Sequence, residues 1–203
     1  MSVTRAYRVA LNPNRDQLQV LSRHVGAARW AYNHALAIKV AAHRRWRQEV
    51  AWATYEHGVD EATARTMVTV RVPTKPAIQK ALNAVKGDSR AGVDGACPWW
   101  HEVSTYAFQS AFVDADWAWD NWLVSLKGQR PGRRVRYPKF KKRGRTLDSV
   151  RIHHDVKRPT IRPDGYRRLI VPRIGSIPPA RQRSPARPAD RSRHRRPPVG
   201  HAH

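Results

Sequence analysis

Acidic residues are scarce in this chain. Fifteen Asp and Glu stand against 39 Lys and Arg, a formal net charge of +24 over 203 residues. That excess is far more than solubility requires, and it points to a polyanionic partner, nucleic acid first. Cysteine is nearly absent. Cys97 alone allows neither an intramolecular disulfide nor a Cys-based zinc knuckle, and it reads as a small buried or loop residue in a reducing, cytoplasmic setting. No apolar run approaches the ~18 residues that a membrane span needs, and the first residues lack the charged–apolar–small pattern of a secretion signal. We therefore expect no membrane partner. Ten histidines include no H-E-x-x-H, and neither a Walker loop nor a G-x-S-x-G elbow occurs. His153-His154-Asp155 reads as a strand edge or turn rather than a metal site. Asp114, Asp116 and Asp120 share a helix, as solvated faces often do. No catalytic residue, metal or cofactor is assigned.

What is present is a clear order of elements. Residues 5–11, RAYRVAL, alternate as a strand does. Asn12 or Asn14 in NPN can cap a helix, with Asp16 in its first turn. Leu18, Leu21, Val25, Ala28, Tyr32 and Leu36 then mark one helical face, bent or interrupted near Gly26 and running to about Gln48. DEATAR at 60–65 predicts a short capped helix, and residues 74–87 predict another that starts at Thr74 and stops at Gly87. From 103 to 127, Phe108, Phe112, Ala115, Trp119 and Trp122 recur at four- and three-residue steps and predict a helix ended by Gly128. Residues 148–152, 158–162 and 167–174 read as short strands, with a PDG turn at 163–165. Residues 178–203 hold six Pro and seven Arg, with Val199 the only large aliphatic, and are expected to be disordered. The economical fold pairs the first strand with the later ones and leaves the helices as an insertion.

Two features carry chemistry. The stretch RRVRYPKFKKRGR at 133–145 puts eight Lys and Arg in thirteen positions, with Tyr137 and Phe140 embedded. Phosphate binding needs cations held on a defined surface. Tyr137 and Phe140 are expected to anchor the segment while Arg133, Arg134, Arg136, Lys139, Lys141, Lys142, Arg143 and Arg145 face a phosphate backbone. Of the eight tryptophans, Trp119 and Trp122 have core spacing, whereas Trp46, flanked by Arg44, Arg45 and Arg47, is the candidate stacking platform.

Four stretches in order carry a resemblance: YRVALNPNRDQ at 7–17, GAARWAYNHAL at 26–36, STYAFQSAFVDADWAWDNW at 104–122, and VRYPKFKKRGRTLDSVRI at 135–152. Over about residues 5–177 the chain resembles the N-terminal half of the TnpB/OrfB family, the insertion-sequence transposases that act as RNA-guided nucleases. The resemblance implies an α+β, mainly helical fold in which a helical recognition domain interrupts a wedge-type β-barrel. The expected division is residues 1–12 as the first wedge strand, 13–130 as the helical recognition or helix-turn-helix domain, 131–177 as the basic segment and remaining wedge strands, and 178–203 as tail. It implies DNA and structured guide RNA as partners. It also places Gln109, with Thr105 one turn earlier, near the motif beside the target, where a Gln amide can pair with adenine. The family's RNase H-like nuclease half has no counterpart here, so a barrel without its later strands and a chain without cleavage are expected. A one-base frameshift from Ser184 would let the tail encode a basic amphipathic helix of the kind the family continues with. Two other readings stand beside this one: a stand-alone helix-turn-helix DNA-binding regulator, and a decayed gene product without function.

Overall fold

A computed structural model describes residues 8–153, 160–165 and 167–180. The expectations for residues 1–7, His154, Asp155, the first two residues of the strand expected at 158–162, and the tail from 181 onward, the frameshift included, lie outside the described residues. Helix α1 spans Arg15–His57, α2 Glu61–Met67, α3 Lys75–Val85 and α4 Thr105–Leu126. Three short strands follow: β1 Arg162–Asp164, β2 Arg168–Val171 and β3 Gly175–Ile177, antiparallel in that order. The protein is therefore α+β and mainly helical.

α1 begins at a capping box. The Gln17 N–H donates to Asn14 Oδ1 at 2.8 Å, and the Asn14 N–H donates to Gln17 Oε1 at 3.1 Å. The helix carries no proline, is rich in alanine, and passes Gly26 without a break. It also outruns the expected Gln48 by more than two turns, because Val50 and Ala53 bury against Ala64 of α2. Gly58, at φ +60°, then ends it in the left-handed cap that glycine adopts without strain.

α1 and α4 form the main packed pair. Ala27, Ala28, Ala31 and Ala35 on α1 meet Ala107, Ala111 and Ala115 on α4, so the helices approach closely, while Tyr32, Leu36, Phe108, Phe112 and Trp119 fill the volume beyond. Cys97 is fully buried in this core. Leu18, expected on the core face, is 55% exposed. Only Val20 and Leu21 from that turn reach an apolar cluster, formed with Val171, Ile174 and Ile177 of the sheet region.

Residues 148–152 are not a strand. Val150 packs on the α1–α4 core, and the Ser110 hydroxyl donates to the Arg151 carbonyl at 2.6 Å. Side chains of α4 thus engage a segment that would otherwise need a sheet neighbour. Pro163 and Asp164, expected in a turn, belong to β1, and the reversal falls at Gly165. Leu11 makes a single antiparallel bridge to Pro179. The Asn12 N–H donates to the Pro178 carbonyl and the Ala180 N–H to the Ala10 carbonyl, each at 2.8 Å. Residues 178–180, assigned to the disordered tail from composition, are therefore paired with the chain's beginning.

Candidate nucleic-acid interface

The basic segment is ordered by three anchors. The Val135 N–H donates to Ser125 Oγ at 2.8 Å at the end of α4. Tyr137 lies edge-on to Trp122 and Trp119, with ring centroids 4.7 and 5.7 Å away. Asn33 of α1 binds Lys141 twice: its Nδ2 donates to the Lys141 carbonyl at 3.0 Å, and its Oδ1 accepts from the Lys141 N–H at 2.8 Å. Tyr137 makes these ring contacts while remaining 39% exposed, and Phe140 is 48% exposed.

Between and around the anchors Arg133, Arg134, Arg136, Lys139, Lys142, Arg143 and Arg145 are all exposed. None of them has a carboxylate in ion-pair range among the described residues. Such a row of unneutralised cations on a fixed backbone is what phosphate contact requires. Lys141 differs: it is half-buried, and its Nζ sits 4.3 Å from the Tyr32 ring centroid, a cation–π contact.

Trp46 is half-buried rather than freely exposed. It packs on the cluster of Val50, Ala53 and Ala64 and stacks on His43 at 5.8 Å with planes 15° apart. Thr105 and Gln109 share a cleft of about 220 Å³ with Gln79, Asn83, Lys86 and Trp100. The Lys86 ammonium lies 3.8 Å from the Trp100 ring centroid. Amides from α3 and α4 thus converge beside a cation at the start of α4.

Two of the three carboxylates on α4 are paired. Asp114 pairs with Arg151, and Asp116 with Lys39 at 2.7 Å. Among the described residues no group of three His, Cys, Asp or Glu could hold a metal ion. Asp120 is exposed. Burial pushes the Cys97 thiol pKa up, as suits an unreactive core cysteine.

Comparison with known proteins fits this arrangement. Residues 1–48 match a helix-turn-helix domain family of the OrfB proteins of IS605-type insertion sequences. Two proteins of Mycobacterium tuberculosis, from strains CDC 1551 and H37Rv, are each 31% identical over 172 residues and are provisionally named RNA-guided DNA endonucleases. The match covers 85% of this chain and 33% of each relative, so the chain spans about a third of their length. Over most of its length the chain is thus similar to part of these relatives, and at its start to the OrfB helix-turn-helix family.

The helix-turn-helix match coincides, from Arg15 on, with one unbroken helix. A two-helix DNA reader needs a short turn before its recognition helix, and α1 contains none. Two structural residues escaped the sequence reading because they are polar residues on a core face. His24 is fully buried: its Nδ1 lies 2.8 Å from the Val20 carbonyl, and its Nε2 accepts the Ser104 N–H at 2.9 Å. The ring thus ties α1 to the start of α4. Lys39, 4% exposed, donates to the Pro73 carbonyl at 2.9 Å while pairing with Asp116.

Proposed function

We propose that this chain is the nucleic-acid-gripping portion of an RNA-guided DNA endonuclease of the TnpB/OrfB type. The observation that carries the reading is the basic segment at 133–145, fixed by Ser125, Tyr137 and Asn33 while seven of its cations stay exposed, with no carboxylate partner among the described residues. A flexible tail of the same composition would attract phosphates but could not hold them in register. The helical bundle of α1–α4 serves as the recognition domain. The three-stranded sheet, with the Leu11–Pro179 bridge, serves as part of a wedge-type barrel.

Guide RNA and target DNA are the ligands, and the phosphate track contacts them without reading sequence. Sequence is read in the cleft of Thr105 and Gln109, where a Gln amide paired bidentately with adenine N6 and N7 discriminates by about 1–3 kcal/mol. Cleavage is not carried by this stretch. A two-metal site needs carboxylates free to hold ions ~3.5–4 Å apart, whereas Asp114 and Asp116 are bound to Arg151 and Lys39. The unbroken α1 favours this reading over a stand-alone helix-turn-helix regulator. Incubating the purified chain with magnesium and labelled RNA and DNA tests it. Binding without cutting is expected, and metal-dependent cutting overturns the assignment.

A further inference from the structure

Beside the phosphate track lies a second feature. α1, α2 and α4 enclose a cleft of about 600 Å³, walled by Trp46 and Val50 on one side and by Trp122 and Leu126 on the other. An adjoining cleft of about 470 Å³ shares His43, Arg47 and Trp122 and continues to Tyr137. Both fall in the size range of small-ligand pockets. His43 sits at the junction, parallel to Trp46 and edge-on to Trp119 and Trp122 at 5.6 and 5.4 Å.

The charges at the mouth are selective. Arg45 is paired with Glu49, and Arg65 with Glu61. Arg44 and Arg47, which line the second cleft, have no carboxylate partner among the described residues. Two like charges three residues apart on a helix repel each other. Their persistence beside an aromatic cleft fits an anion attached to a planar group.

We infer that this cleft holds one unpaired nucleobase of a bound nucleic acid, inserted between Trp46 and Trp122, with its flanking phosphates on Arg44 and Arg47. The base meets aromatic faces and edges, which suit every base because each has a π-face. The site thus prefers an unpaired nucleotide without choosing its sequence. His43 is held below the usual histidine pKa by burial first and by Arg47 second, so at neutral pH it is uncharged and keeps one donor and one acceptor for a base edge.

This inference rests on the nucleic-acid reading above, and the test separates the two. Binding of the full chain is measured by fluorescence anisotropy on three duplexes: fully paired, with one bulged nucleotide, and with one bulged abasic residue, each as DNA and as RNA. The bulged base should bind about tenfold tighter than the abasic bulge. Trp46→Leu, which keeps apolar packing on Val50, should erase that difference and leave the paired duplex unchanged. Arg44→Ala with Arg47→Ala should weaken the bulged probes more than the paired one. Equal affinity for base and abasic bulges, or a Trp46→Leu loss alike on all three probes, overturns the base pocket while leaving the phosphate track standing. No binding of any probe overturns both.

Discussion

The salt dependence of binding reports how many phosphates the segment at 133–145 neutralises. Each phosphate contact releases condensed counterion, so log K falls against log salt by about 0.9 per contact on duplex. Seven exposed cations lie on the segment, of which about six engaged at once give a slope near −5. Lys139, Lys142 and Arg143 are exposed and flank Lys141, which Asn33 anchors, in the sequence. Changing all three to Ala should flatten the slope by up to about 2.7 units, alike for every sequence. Lys141→Ala should behave differently: its ammonium lies on Tyr32, so it should leave the slope nearly unchanged and lower thermal stability instead. The assay is a titration of labelled duplex from about 50 to 200 mM salt, the range over which six contacts lose about three orders of magnitude. A triple variant with the parent slope refutes the phosphate track, as does binding that salt barely touches.

Other predictions follow from the core and the clefts. Trp119 is 2% exposed against His43, Trp122 and Tyr137, so Trp119→Ala should cost about 3–5 kcal/mol by chemical denaturation; an unchanged midpoint would refute the packing. Lys39→Met leaves Asp116 without its partner and should cost about 3 kcal/mol, most of it recovered when Asp116→Leu is added; a double variant as unstable as the single one argues against the buried pair. Gln109→Ala should weaken preference for one duplex motif by about 1–3 kcal/mol while sparing non-specific binding, and equal losses on all sequences contradict the readout role.

Much of the helical architecture could be read from local chemistry. The Asn14 cap, the Asp60 cap, the stop at Gly128 and the face of Phe108, Phe112, Ala115 and Trp119 depend on neighbours within two turns, where residue type and spacing suffice. What failed depended on distant partners. Residues 148–152 alternate like a strand, but alternation says nothing of whether a sheet neighbour exists, and Ser110 and Asp114 engage that segment instead. The reach of α1 beyond Gln48 depends on Ala64, which lies on the next helix, past the Val50 and Ala53 face it buries. Composition marked residues 178–180 as tail, because Pro and Ala carry no periodic signal, yet backbone groups there bond to Ala10 and Asn12. At the candidate site, residue type identified the basic row. The inward turn of Lys141 and the burial of Lys39 and His24 were invisible, because a helical pattern assigns polar residues to solvent.

We propose that this chain grips a structured nucleic acid through an ordered cationic surface. The most direct measurement is to purify the chain at low salt from cells that express it, and to sequence what comes with it. A defined, structured RNA is expected, released as salt is raised and lost in the Lys139, Lys142 and Arg143 triple variant. A chain that comes away free of nucleic acid and binds none at low salt would contradict it. So would a footprint of two DNA half-sites one helical turn apart, the mark of a dimeric regulator.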